Sequence, residues 1–285
     1  MSAPVSFAGV VGWPISQSVS PTMHNFWIAQ YGLDAEYIPL AVKPEDFAEV
    51  MARLPEKGFA GVNVTIPHKE AAFKLSTTLD TNARAAGAVN LLVFDQGKIH
   101  GRNTDIPGFS AALTESFGPG IARAAPVVVL GAGGAARAVV LALIHQGAFD
   151  IRILNRTETP ARNLIDLVQD KGAKLSAPDW GDWNAAFEGA GLLVNTTSLG
   201  MIGKDALHIP LEHLPRGAAV ADIVYNPLET ALLADARARG HRTMDGLGML
   251  MHQAVPAFAA WFGVTPQVTP DLRAVLEEKL RGVKP

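Results

Sequence analysis

Two rhythms of hydrophobic and polar positions divide the chain. In the N-terminal part, short apolar runs alternate with amphipathic stretches. Residues 5–11 read as a buried strand, closed by Gly12-Trp13-Pro14. Ser20-Pro21 then opens a helix, with Ser20 as N-cap and Pro21 in the first turn. Met23, Phe26, Trp27 and Tyr31 follow near helical spacing. A second strand is expected over 37–42, an amphipathic helix over 44–54 and a third strand over 59–66, closed by Pro67. Residues 89–94 and 98–102 flank Asp95-Gln96-Gly97 and read as a hairpin.

From Pro126 the rhythm becomes strand–helix–strand: a strand over 127–130, a glycine turn, a helix over 135–145 and a strand over 151–154. Further strands are expected over 192–194 and 218–223. This alternation implies a parallel sheet covered on both faces. A domain boundary is expected in the helix after Pro107, over 109–117. The closing helices, 247–262 and 271–280, could complete either domain. No repeat or low-complexity linker interrupts the pattern. Trp180 and Trp183 read as cover for the edge of the second domain.

The glycine turn carries the first candidate chemistry. Gly131, Gly133 and Ala136 match G-x-G-x-x-G/A between a strand and a helix, as a dinucleotide pyrophosphate requires. The first glycine permits the turn, the second lets backbone approach the anion, and a small residue in sixth place lets helix and strand pack. N–H groups at the helix start face the phosphates. At the end of the next strand, where an acidic residue would hold the ribose hydroxyls of NAD, the chain has Asn155-Arg156-Thr157. Arginine there can stack on adenine and pair with a 2′-phosphate, and Thr157 can hydrogen-bond it, which argues for NADP. Glu158 lies close by and would oppose a phosphate.

A second constellation lies upstream. Asn63-Val64-Thr65-Ile66-Pro67-His68-Lys69 sets a lysine after one strand, and Asn103-Thr104-Asp105 sets an aspartate after another. Lysine and carboxylate among amides and hydroxyls suit a polyhydroxylated small molecule and the movement of one proton. Ser18 and Ser20, at a helix start whose dipole favours anions, would suit a carboxylate; a plain N-cap is the other reading of Ser20.

Composition changes the picture by exclusion. At 285 residues the chain has room for two domains, and 48% hydrophobic against 18% charged residues predicts large cores. A net charge of -3 gives no reason to expect nucleic acid. With no cysteine, disulfides, thiolate metal sites and cysteine nucleophiles are excluded, and the eight histidines lack metal spacing, so no metal is expected. No apolar run approaches the roughly 20 residues of a membrane span. The N-terminal residues do not read as a secretory signal, and a cytoplasmic protein is expected.

Ten segments in order carry a resemblance. They are Gly12-Trp13-Pro14, the Ser18–Asn25 run, the Asn63–Lys69 run, Ala86-Gly87-Ala88-Val89-Asn90 and Asn103-Thr104-Asp105, then Gly131–Ala136, Asn155-Arg156-Thr157 and Asn195-Thr196-Thr197-Ser198. Asp222-Ile223-Val224-Tyr225-Asn226-Pro227 and Asp245-Gly246-Leu247-Gly248-Met249-Leu250 complete the series. Over nearly its whole length the chain resembles the shikimate dehydrogenase family. The resemblance implies an α/β protein of two domains. Residues 1–108 and 246–285 would form an α/β substrate-binding, catalytic domain, and 109–245 a Rossmann-like doubly wound NADP-binding domain, with the active site in the cleft between them. It implies reversible, NADP-dependent reduction of 3-dehydroshikimate to shikimate in aromatic amino-acid biosynthesis, by a monomer or homodimer.

Carried over by motif, Ser18 and Ser20 hold the substrate carboxylate. Thr65, Asn90, Tyr225 and Gln253 help hold the substrate, and Lys69 and Asp105 sit at the reacting hydroxyl. Gly131, Ala132, Gly133, Gly134 and Ala135 with Asn155, Arg156 and Thr157 bind the cofactor, and Ile223, Gly246 and Met249 lie near the nicotinamide. Two roles are open to Lys69: general acid, or positioning group while water supplies the proton. The chain departs from the family pattern at Leu91, Thr81 (with Asp80 adjacent), Pro160 (with Arg162 nearby but out of register) and Ile106-Pro107. A quinate or quinate/shikimate dehydrogenase using NAD is the nearest alternative, disfavoured by the two serines and by Arg156. A non-catalytic ligand sensor is the alternative of another class, disfavoured by the retention of Lys69 and Asp105.

Overall fold

The computed structural model describes residues 6–282; the expected start of the first strand at Val5 lies outside them. The chain forms two compact units: residues up to Thr104 together with those from Gln253 onward, and Asp105–His252. The chain therefore passes between the units at 104/105 and 252/253, whereas the family resemblance implied 108/109 and 245/246. The first difference has a local cause. Asp105–Phe117 is one helix, and Ile106-Pro107 lies in its first turn, where proline is tolerated because those N–H groups have no intrahelical acceptor.

The first unit is built on a mixed sheet. Its strands are β1 (Ser6–Gly12), β2 (Ala35–Ala41), β3 (Phe59–Val64), β4 (Thr78–Leu79), β5 (Leu91–Asp95) and β6 (Lys98–Arg102), in the order β2-β1-β3-β5-β6-β4. β1 runs parallel to β2 and β3, whereas β5 is antiparallel to both β3 and β6. Val11, Phe47, Met51, Val62, Val64 and Leu92 share one buried core. Each such side chain stabilises the unit by about 1.5–3 kcal/mol through burial.

The helix expected over 44–54 is a 3-10 turn, Pro44–Asp46, running into helix Phe47–Arg53. The one at Ser20–Gln30 starts differently from the sequence reading. Val19 occupies the N-cap position, Ser20 is the first helical residue, and the Ser20 N–H donates to Ser18 Oγ at 3.3 Å. Ser18 thus accepts from the first helical N–H, and the N-cap residue itself makes no side-chain cap.

The second unit has an all-parallel sheet of β7 (Val127–Leu130), β8 (Asp150–Leu154), β9 (Lys174–Ser176), β10 (Leu192–Asn195), β11 (Ala219–Asp222) and β12 (Arg242–Met244), in the order β12-β11-β10-β7-β8-β9. This is the doubly wound order, in which the connections reverse direction between β7 and β10. All four residues of β7, and all four of β10, are buried. Strands covered on both faces need no polar alternation, which is why they read as unbroken apolar runs.

Candidate functional site

In the first unit, polar groups gather where β3 and β6 end. The chain leaves β3 through Thr65, whose N–H donates to Val11 O at 2.9 Å and whose carbonyl accepts from the His68 N–H at 2.9 Å. His68 is buried, bonded through Nε2 to Val42 O at 2.7 Å and stacked on Phe47 at 4.7 Å. These contacts fix the start of helix Lys69–Leu75, so Lys69 is its first residue, and its carbonyl accepts from the Val89 N–H at 3.0 Å. The Lys69 side chain is half-buried.

Asn90 lies just before β5 and is buried. Its Oδ1 accepts from the Thr104 N–H at 2.7 Å, and its Nδ2 donates to Thr104 Oγ1 at 2.9 Å and to Gln253 Oε1 at 3.3 Å. Its backbone carbonyl accepts from the Val64 N–H at 2.9 Å and from Asn63 Nδ2 at 3.3 Å. Asn63 Oδ1 in turn accepts from the Tyr37 hydroxyl at 2.7 Å. Of the residues expected to hold substrate, the structure thus joins Asn90 and Gln253 directly. It adds Thr104, which the sequence reading named only as a neighbour of Asp105. A polar residue following a hairpin strand, between two residues already singled out, was the available signal. Asp80 caps helix Thr81–Ala86 by accepting from the Ala83 N–H at 2.6 Å, and also accepts from the Asn103 N–H at 3.3 Å. Ser18 is half-buried and Ser20 buried. Because Ser18 Oγ accepts from Ser20, its own hydrogen stays available for an anion.

Beneath this surface, His24 is fully buried and lies flat on Tyr37, ring centroids 4.0 Å apart, with Trp27 edge-on at 5.7 Å. Burial drives its imidazole down to about 3, only partly offset by the Asn63 side chain. Neither ring nitrogen makes a hydrogen bond of good geometry.

In the second unit the turn after β7 presents backbone. Gly131 has φ +99°, and a Cβ there would stand 2.8 Å from Thr196 Oγ1, so the turn after β7 and the loop after β10 meet at this residue. Thr196 Oγ1 donates to Leu130 O at 2.7 Å and holds that approach. Helix Gly134–His145 begins without a side-chain cap, and a Cβ on Gly133 or Gly134 would meet nothing within 4 Å. Uncapped N–H groups facing open space at a helix start fit a pyrophosphate. Ala136 is buried, in keeping with close helix–strand packing.

After β8, Asn155 Nδ2 donates to the Thr157 carbonyl at 2.8 Å and to its hydroxyl at 3.1 Å, closing a turn that leaves Arg156 exposed. A cavity of ≈ 260 Å³ follows, lined among others by Asn155, Arg156, Glu158, Ala161 and Trp180. Trp180 packs edge-on to Trp183 at 5.2 Å and so has a fixed wall behind it. Both tryptophans pack against the core of this unit as the sequence suggests, and Trp180 also lines the cavity that Arg156 borders.

At the end of β11, Asp222 is wholly buried. It accepts from Asn195 Nδ2 at 2.9 Å, the Val224 N–H at 3.0 Å and the Thr230 hydroxyl at 2.8 Å. Burial raises its carboxyl to about 6 against these three donors, which pull the other way. The network fastens the segment carrying Ile223, Val224 and Tyr225. The Tyr225 phenol is pushed above its ordinary value by burial. Gly246 N–H donates to Val224 O at 3.0 Å, and a Cβ on Gly246 would strike Ile223 O at 2.1 Å, so only glycine lets helix Gly246–Phe262 begin there. Met249 is half-buried one turn on. Asp105 is buried at the start of helix Asp105–Phe117 and belongs to this unit, as Lys69 belongs to the first. Among the described residues, no group of three or more His, Asp or Glu could hold a metal ion, and no helix is long and apolar enough to cross a membrane.

A doubly wound parallel sheet with a glycine turn beside its switch point, and an arginine-bordered cavity after the next strand, defines the class of dinucleotide-binding α/β proteins. The comparisons narrow the class. A family model described as the shikimate dehydrogenase substrate binding domain matches residues 10–92, and that of the shikimate 5′-dehydrogenase C-terminal domain matches 246–276. A shikimate dehydrogenase (NADP+) of Methylobacterium radiotolerans is 52% identical over 285 residues, covering 99% of this chain and 100% of its own. Another, of Paramagnetospirillum magneticum, is 50% identical over 275 residues, 96% of this chain and 99% of its own. A crystal structure of a shikimate dehydrogenase in complex with NADP+ superposes with a TM-score of 0.87 at 34% identity, covering 98% of this chain and 97% of that one. The chain belongs to the shikimate dehydrogenase family.

Proposed function

We propose that the chain is an NADP-dependent shikimate dehydrogenase that reversibly reduces 3-dehydroshikimate to shikimate. The observation that carries this reading is the hydrogen-bonded cluster of Asn90, Thr104 and Gln253, in a unit that also holds Thr65, Lys69 and two serines. Amides and hydroxyls fixed in this way suit a ring bearing several hydroxyls and one carboxylate.

Reducing a ketone adds hydride at carbon and a proton at oxygen. Bound NADPH supplies the hydride. The chain's own groups do the rest. Lys69, as an ammonium, polarises the ketone oxygen and donates the proton as general acid, and Asp105 accepts a hydrogen bond from the same hydroxyl. Ser18 and Ser20 donate to the substrate carboxylate, while Thr65, Asn90, Tyr225 and Gln253 orient the ring hydroxyls. Gly131, Ala132, Gly133, Gly134 and Ala135 offer N–H groups to the pyrophosphate. Asn155, Arg156 and Thr157 take the adenosine end, and Ile223, Gly246 and Met249 border the nicotinamide. A cytoplasmic location, with which a chain without cysteine is in keeping, and a monomeric or homodimeric state complete the reading.

Lys69→Ala tests the assignment, since its backbone carbonyl bond to Val89 survives the substitution. Turnover is expected to fall roughly 10²- to 10⁴-fold. The dissociation constant for shikimate, measured by titration, should rise no more than about tenfold. A large rise in KM with normal kcat would reduce Lys69 to a binding group.

A further inference from the structure

The cavity after β8 carries an excess of negative charge for its proposed ligand. Three charged residues line it: Arg156, Glu158 and Asp179. One guanidinium against two carboxylates is a poor setting for a 2′-phosphate. A carboxylate beside a ribose also favours the bare 2′-hydroxyl, to which it can accept a hydrogen bond.

Helix Glu158–Val168 places Arg162 one turn beyond Glu158, and the two form an ion pair. Arg162 Nε donates to Glu158 Oε1 at 2.7 Å, and Nη2 donates to the same oxygen. With Arg162 counted, the charged groups at this end of the cavity balance.

We propose that Arg162 is a positioning residue for cofactor choice. It engages the Glu158 carboxylate, removes its repulsion from the 2′-phosphate and leaves Arg156 free to pair with that phosphate. The inference rests on the NADP reading above and deepens it. Without Arg162, the same pocket would present a free carboxylate and lean towards NAD. Glu158 is then the residue that sets the ratio, and Arg162 acts only through it.

The test is a double-mutant cycle read by calorimetric binding, without turnover. Adenosine 2′,5′-bisphosphate and adenosine 5′-monophosphate are titrated into the wild-type chain, Arg162→Ala, Glu158→Gln and the double variant. The ratio of the two dissociation constants is the readout, and a general loss of structure would move both ligands together. Arg162→Ala should lower the preference for the bisphosphate roughly three- to tenfold, and raising the salt should shrink this effect. Glu158→Gln should raise the preference, and in that background Arg162→Ala should change it less than about twofold. An equal loss in both backgrounds would mean that Arg162 meets the phosphate itself and would overturn the inference. So would a wild-type preference that Arg162→Ala leaves intact. A wild-type chain that binds both nucleotides equally would overturn the NADP reading and this inference with it.

Discussion

The two units solve opposite problems with opposite materials. The first presents chemistry through side chains: Asn90, Thr104 and Gln253 hydrogen-bond one another, and Lys69 starts a helix anchored by His68. The second presents backbone, through a left-handed glycine and an uncapped helix start. The difference suits the proposed ligands. A hydroxylated ring must be read group by group, whereas a pyrophosphate asks only for N–H groups and room.

The contrast extends to the interior, where burial shifts a histidine in the first unit and an aspartate in the second. His24 in the first is held neutral, with a pKa near 3 against 6.5 unperturbed. Between those values the unfolded chain binds a proton that the folded chain refuses. Stability from His24 is therefore whole above pH 6.5 and is lost as pH falls towards about 3. Asp222 in the second unit is raised to about 6 from 3.8. Between these values the folded chain keeps a proton that the unfolded chain releases, so stability falls as pH rises through that window. From about pH 4 to 6 the two slopes oppose each other and nearly cancel.

Removing one group should expose the other. The larger effect belongs to His24, whose full swing is about 5 kcal/mol. His24→Phe keeps an aromatic ring against Tyr37 and Trp27 but cannot take a proton. Urea denaturation from pH 7 to 4 should then show stability rising on acidification, where the wild type stays nearly flat. Equal profiles for the two proteins would mean that His24 does not titrate as described. The smaller effect belongs to Asp222, with a swing of about 3 kcal/mol. Asp222→Asn can still accept from Asn195 and Val224, and its amide can donate to the Thr230 hydroxyl. The variant should lose stability steadily as pH falls from 6 to 4, by His24 acting alone. A flat profile would contradict the assignment.

How far sequence reached follows the same division. The glycine turn was legible because each of its requirements is local: a strand before, a helix after and a small residue in sixth place. The pairing of Asn90 with Gln253 is not local; it joins residues far apart in the chain, and only the family resemblance brought them together. His24 appeared as a histidine without metal spacing, because the ring it lies flat on, Tyr37, comes from another element, β2. The two-residue strand Thr78–Leu79 and the three-residue strand Arg242–Met244 are too short to carry a periodicity, and both escaped notice. The N-cap lies at Val19, one residue before the expected Ser20, because Ser20-Pro21 carries the commoner start signal. Glu158 was recognised as an obstacle to a phosphate, but the ion pair with Arg162 that answers it required the helix to be seen.

The central claim is that the chain reads a shikimate-type ring, mainly through its first unit, and binds NADP on its second. A two-by-two assay tests it most directly, with shikimate or quinate as substrate and NADP or NAD as cofactor, all with one purified protein. The value of kcat/KM is expected to be highest for shikimate with NADP. A highest value for quinate with NAD, or binding of shikimate without any NADPH formation across pH, would contradict it.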